Sequence, residues 1–184
     1  MASLRKIYSI TADWTGSKYI GLTLKWDYKA RTCDISMPDY IDKALQRFEV
    51  PTPTSAQHSP HAWLPPFYGT GPQLTKPIDD STPLDKKGLT RLQQVIGPIL
   101  YYARAVYNTM LVSLGTLASK QSAATEAASA ATMQLLNYCA THPDAVVRFH
   151  ASGMQLAIDS NVSYLSESEA RSRVPATIFL LMLP

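Results

Sequence analysis

Few places in this chain could do chemistry. Carboxylates stand side by side only in pairs such as Asp79-Asp80, and near the C-terminus Asp159 lies two residues from the amide of Asn161. Convergent carboxylates are what a two-metal site needs, because a pair of divalent ions demands several anionic oxygens at close range. Asp79 and Asp80 fall in a proline-rich stretch with no apolar strand beside them, so they read as part of a solvated loop. Asp159 would share a strand face with Asn161 but at a displacement of about 6–7 Å, too far for one to replace the other. His58 and His61 have a metal-like gap, yet Pro60 separates them and no cysteine or carboxylate is close in sequence, so they too read as loop residues. Cys33 and Cys139 lack ligand spacing and sit in apolar stretches, which favours two small buried hydrophobes over a disulfide.

A second kind of chemistry is contact with a polyanion. Lys18, Tyr19, Lys25, Trp26, Tyr28, Lys29 and Arg31 interleave cations with aromatic rings, a mixture that can follow a phosphate backbone and stack on bases. Trp26 and Tyr19 are equally readable as core residues, and the pattern leaves both readings open. Arg104, close to Tyr101 and Tyr102, is a weaker candidate for a phosphate contact, since aromatics on a helix usually face a core. The formal charge of +3, from 17 basic and 14 acidic side chains, neither diagnoses nor forbids such binding.

The elements that would carry these residues follow from periodicity. Ile20, Leu22, Leu24 and Trp26 alternate with polar or small residues, and Cys33, Ile35 and Met37 repeat the pattern after a polar turn, which predicts a β-hairpin. Ser36, Pro38 and Asp39 predict a helix start, and Ile41, Ala44, Leu45 and Phe48 form its inner face. Val50 to Pro83 holds most of the chain's 13 prolines and no sustained period, so a long irregular connection is expected there. Helical spacing returns at Leu89, Leu92, Val95, Ile96, Ile99, Leu100, Ala103 and Val106, with Gly97 and Pro98 predicting a kink or break. A helix over Met110–Lys120 follows, then one capped by Thr125 that ends near His142 and Pro143. Beyond Asp144 short alternating runs, Val146–His150, Met154–Tyr164 and Thr177–Met182, predict strands.

At 184 residues, 46% of them hydrophobic and 17% charged, the chain fits a folded class and not a disordered one. The longest apolar run, Ala176–Leu183, is too short to span a bilayer, and the first residues lack a secretory apolar stretch. A soluble protein of the cytoplasm or nucleus is the expectation, and the sequon Asn161-Val162-Ser163 should then stay unmodified.

Three collinear segments carry a resemblance. Tyr19–Phe48 resembles the hairpin and helix that follow the catalytic strands of a reverse transcriptase palm. Gln94–Gln121 with Thr125–Phe149 looks like thumb and connection helices, and Met154–Val174 looks like the opening hairpin of a ribonuclease H. Together they resemble the C-terminal polymerase region of copia-type retrotransposon polyproteins. The resemblance implies an α+β fold divided as palm end 1–49, proline-rich connection 50–88, helical segment 89–144 and truncated ribonuclease H start 145–184. It implies a transposable-element ancestry in RNA-directed DNA synthesis, with a template–primer or RNA/DNA duplex as partner and Mg²⁺ as the intact family's cofactor. It also places the hairpin cations near a primer terminus.

The same resemblance defines what is missing. The family's Tyr-x-Asp-Asp tetrapeptide does not occur in this sequence. Asn161, in Ser160-Asn161-Val162-Ser163-Tyr164, occupies the place of the first ribonuclease H aspartate, and an amide there withdraws one anionic ligand from Mg²⁺. Further carboxylates would be expected beyond Pro184. Tyr107 replaces an expected helix-capping aspartate, leaving Asn108 as the substitute cap. No catalytic residue, metal ligand or bound cofactor is therefore expected in these residues. The nucleic-acid candidates are Lys18, Lys25, Trp26, Lys29, Arg31 and Arg104, and the alternatives are a non-catalytic binding module or a gene remnant without function. Without a palm to cover it, the hairpin should leave Ile20, Leu22 and Leu24 partly exposed, with marginal stability as the result.

Overall fold

In the computed structural model the described residues are 7–9, 12–62, 79–153, 155–160, 163–167, 171–173 and 176–181. Their architecture is mixed α+β, with one four-stranded antiparallel sheet and four α-helices. The sheet runs β1 (Lys18–Tyr19), β2 (Leu22–Asp27), β3 (Thr32–Ser36) and β4 (Val146–His150) in that spatial order. Ile20 belongs to the turn between β1 and β2, not to the strand that its alternation predicts. Tyr19 pairs with Leu22, and the two residues between take positive φ, 47° at Ile20 and 80° at Gly21. Such a tight turn matches the twist of the flanking strands; Gly21 adopts it freely, while Ile20 bears the strain of a β-branched residue.

Register fixes which side chains share a face. Leu24 lies opposite Ile35, which lies opposite Val147, and Trp26 lies opposite Cys33, which lies opposite Phe149. Because side chains alternate, these two rows form one apolar surface. The other surface carries Lys25, Asp34 and Arg148 in a single row. Val146–His150 is a strand as expected, but it completes the sheet of the N-terminal hairpin, placing Arg148 opposite Asp34 across 114 residues of sequence, so that its pairing with β3 reaches from the fourth sequence segment back into the first.

Helix α1 spans Tyr40–Arg47 and starts later than its sequence signals imply. Ser36 is not its cap, because it is held in β3 opposite Thr23 and Val146. Asp39 takes the cap position at φ 59°, with no side-chain hydrogen bond to the helix. Helix α2 spans Lys86–Ala105 and is capped by Asp85, whose carboxylate accepts from Gly88 N at 2.7 Å. Pro98 lies within α2 and does not end it. Proline deprives the Gln94 carbonyl of its donor, but Gln94 and Gly97 face solvent, while Leu92, Val95, Ile96, Ile99, Tyr102 and Ala103 are buried on both sides of the defect. Packing along that stripe carries the helix through.

A 3₁₀ turn at Asn108–Met110 leads into α3 (Leu111–Ser119). Asn108 caps neither, since Tyr107 and Met110 hold the two cap positions without side-chain bonds. Helix α4 (Glu126–Thr141) begins at Thr125, whose Oγ1 accepts from Ala128 N, and ends at His142. Its expected inner face, Ala128, Thr132, Leu135, Leu136 and Cys139, is buried throughout. The helices and α1 enclose a single cluster with Ile99, Tyr102, Met110, Leu114 and Leu135 fully inside, and Leu22, Ile35 and Val147 of the sheet rest on it. Strands β5 (Gln155–Ser160), β6 (Ser163–Glu167), β7 (Arg171–Arg173) and β8 (Ala176–Leu181) form two further antiparallel pairs, β5 with β8 and β6 with β7.

Candidate functional site

The aromatic and basic hairpin residues gather at one end of the sheet. Asp13 organises the approach to it by accepting hydrogen bonds from the backbone N–H groups of Thr15, Ser17 and Lys18 and from both nearby hydroxyls. These bonds, foremost that from the Thr15 hydroxyl, hold its carboxyl far below the usual range. The loop so fixed presents the Gly16 carbonyl, which accepts from Trp26 Nε1 at 2.8 Å. Trp26 is 47% exposed and stacks on Tyr28 with ring centroids 6.1 Å apart and planes 8° from parallel. Between core residue and exposed ring, Trp26 and Tyr19 are therefore exposed rings.

Lys29 and Arg31 are exposed in the turn that follows, where Asp27 accepts from Ala30 N and Arg31 takes φ 55°. Lys18 is exposed on β1. Lys25 is exposed as well, but the pleat places it on the opposite face from Trp26, next to Asp34. Arg104 is exposed in the last turn of α2. Its expected companion Tyr102 is not available to a ligand: it is fully buried, its hydroxyl donates to the Pro143 carbonyl at 2.9 Å, and burial pushes its pKa up to about 12. Tyr101 instead donates to the Ile20 carbonyl at 2.8 Å, tying α2 to the β1–β2 turn. The fold thus stacks Trp26 on Tyr28, with Lys29 and Arg31 exposed in the adjoining turn, and sets Lys25 on the opposite face of the sheet.

Among the described residues no three His, Cys, Asp or Glu side chains gather closely enough to hold a metal ion. Both cysteines are free and buried, and burial pushes the Cys139 thiol up to about 12, so it supplies no thiolate near neutral pH. Asp159 pairs in register with Thr177, while Asn161 lies outside the described residues. A groove of about 620 Å³ between α1, residues 50–56 and the end of α4 holds a lone carboxylate, Asp42.

Neither family models, curated proteins nor solved structures match this chain.

Two arrangements lay beyond the sequence reading. Asp79 is a junction and not a solvated loop residue: it accepts from Ser81 N and Oγ, from Thr125 Oγ1 at 2.7 Å and from Lys120 Nζ at 2.9 Å. Those donors, with the Ser81 hydroxyl first, hold its carboxyl well below the ordinary range. Around it, Leu84 N donates to Ala124 O and Glu126 N to Thr82 O, so the end of the proline-rich connection is fastened across the start of α4. The Asp-x-Ser spacing of 79–81 is the local signal that points to such a turn. The second arrangement brings His58 Nδ1 within 3.2 Å of His142 Nε2 across 84 residues of sequence. No local pattern announces that contact.

Proposed function

We propose that these residues are a piece of a copia-type retrotransposon polyprotein, from the end of a reverse transcriptase into the start of a ribonuclease H, and that they contain neither complete active site. The observation carrying this reading is the collinear order of three family-like segments, with no Tyr-x-Asp-Asp tetrapeptide and with Asn161 at the aspartate position. A hairpin followed by a helix and then a group of helices is an order compatible with that descent, whereas β5 pairs with β8 and not with its neighbour β6, so the opening hairpin expected within Met154–Val174 is not formed by those two strands. Two-metal chemistry requires several convergent anionic oxygens, and an isolated carboxylate does not supply them. The test is to give the purified chain Mg²⁺ with a primer–template and, separately, with an RNA/DNA hybrid. Neither primer extension nor hybrid cleavage is expected above a metal-free control, and either activity would overturn the reading.

A second reading is a nucleic-acid-binding module without catalysis, favoured by the exposed Trp26–Tyr28 stack beside Lys29 and Arg31. Base stacking on aromatic rings is worth about 1–3 kcal/mol per base, and each phosphate contact adds a salt-dependent increment. Binding of a labelled single strand should weaken with added salt, and W26A should weaken it further. Retention of full affinity by W26A, K29A and R31A together would remove this reading. Among the described residues no helix is long and apolar enough to cross a membrane, so a lipid-embedded role through such a helix has no support.

A further inference from the structure

We infer that His58 and His142 form a two-imidazole site for a divalent transition-metal ion of borderline softness, such as Zn²⁺, Ni²⁺ or Cu²⁺. This inference is independent of the polyprotein reading. Two ring nitrogens, Nδ1 of His58 and Nε2 of His142, stand 3.2 Å apart. Lone pairs cannot face each other at that distance without a proton or a cation between or beside them. Nitrogens so spaced can each lie about 2.0–2.1 Å from one point and subtend an angle of roughly 100° there, close to the tetrahedral arrangement that zinc prefers. Imidazole is a donor suited to zinc, nickel and copper, and poorly suited to magnesium or calcium.

The donors are positioned by the protein alone. His142 caps α4, its N–H donating to the Tyr138 carbonyl at 2.9 Å, and its ring lies 5.0 Å from the Tyr138 ring. A helix C-terminus carries partial negative charge, so a cation gains there what an anion would lose. His58 belongs to a segment pinned at several points. Gln57 N donates to Thr141 Oγ1 at 2.9 Å, Ser113 Oγ donates to the Pro60 carbonyl at 2.9 Å, and Gln134 Nε2 reaches the Ser59 carbonyl at 3.4 Å. Little ordering is therefore left for the metal to impose. Among the described residues no third His, Cys, Asp or Glu joins them, so the site rests on the two imidazoles. Occupancy would clasp the proline-rich connection to the end of α4, joining two parts of the chain that share no secondary structure.

The measurement uses the full chain, titrated with ZnCl₂ and followed by thermal melting, and with NiCl₂ followed by NMR of the histidine ring signals. At zinc concentrations a hundredfold above the dissociation constant the midpoint should rise by about 5 °C or more, and chelator should reverse it. Nickel should broaden two histidine ring signals first, and H58A and H142A should each abolish both effects while H61A keeps them. Unchanged melting and sharp ring signals in the unmodified chain at millimolar metal would mean a direct imidazole–imidazole hydrogen bond only, and would overturn the site. So would metal binding that survives H58A or is lost in H61A. The wild-type NMR experiment needs no variant and decides the matter even if H142A fails to fold.

Discussion

The apolar face of the four-stranded sheet is continuous in register yet divided in environment. At one end Leu22, Ile35 and Val147 rest on the buried helical cluster. At the other Trp26 and Phe149 are 47% and 53% exposed, although they occupy the next row of the same pleat. Strand pattern is the same at both ends, so what differs is the reach of the helices. Cys33 shows the limit of this contrast, being buried between those two exposed rings in its own row. A half-covered apolar face must be stabilised from the covered end, because only that end removes surface from water.

The sharpest way to break this comparison is to truncate one residue on each side. Ile99 is fully buried, and Ile99→Ala should cost about 2–5 kcal/mol through lost burial and the cavity left behind. Phe149→Ala should cost under about 1 kcal/mol, since much of the ring is already in water. Urea unfolding of both variants measures the difference, and equal losses would mean that something covers the aromatic end in solution.

Next in size is the Asp79 junction, which fastens chain outside the sheet to the helical end. Asp79→Ala removes a carboxylate that accepts from Ser81, Thr125 and Lys120, and hydrogen bonds to a charged group contribute about 1.5–3 kcal/mol each, net of the bonds to water that they replace. Partial exposure lowers the net loss to about 1–2 kcal/mol by the same reasoning. The folded carboxyl titrates below its ordinary value near 3.8, so its contribution is present in full above that value and disappears as pH falls towards the folded pKa. Wild-type stability should therefore decline below about pH 4 more steeply than that of Asp79→Ala. Thr125→Ala should cost about 1 kcal/mol by removing the cap of α4 as well as one of these donors.

Local patterns made much of the fold legible and little of the candidate site. Helix α4 follows from Thr125 as cap and from a run of small and apolar residues with one buried stripe, all of them near neighbours in sequence. Strand β4 was equally legible, but its partner was not, because alternation reports a strand's faces and says nothing of which distant strand completes the ladder. Alternation misplaces Ile20 for a related reason, since its apolar type continues the pattern through a position that the turn needs. The local cost of Pro98 is outweighed by a stripe of buried contacts that spans it, which no single position reveals. Exposure of Trp26 and burial of Tyr102 depend on where the helices end over the sheet, a tertiary fact with no local period. The His58–His142 contact and the Asp79 junction likewise join segments that only the finished fold makes neighbours.

The smallest expected effect lies on the polar face, behind the exposed rings. There Arg148 meets Asp34 through two hydrogen bonds, Nε at 2.6 Å and Nη2 at 2.7 Å, in the row that also holds Lys25. The Arg148 hydrogen bond, followed by its charge and those of Lys25 and His150, lowers the Asp34 pKa below the ordinary 3.8. Its stabilising contribution is thus present above that value and fades as pH falls through the folded pKa. A bidentate fork is the strong geometry for such a pair, but Arg148 is 60% exposed and solvent and salt screen the attraction. Asp34→Asn should therefore shift the urea midpoint less than Asp79→Ala, and the shift should shrink as sodium chloride rises from low to near-molar concentration. A loss that equals the Ile99→Ala effect, or that ignores salt, would mean that β4 is held to the sheet by this pair and not by the packing of Val147 on the covered end.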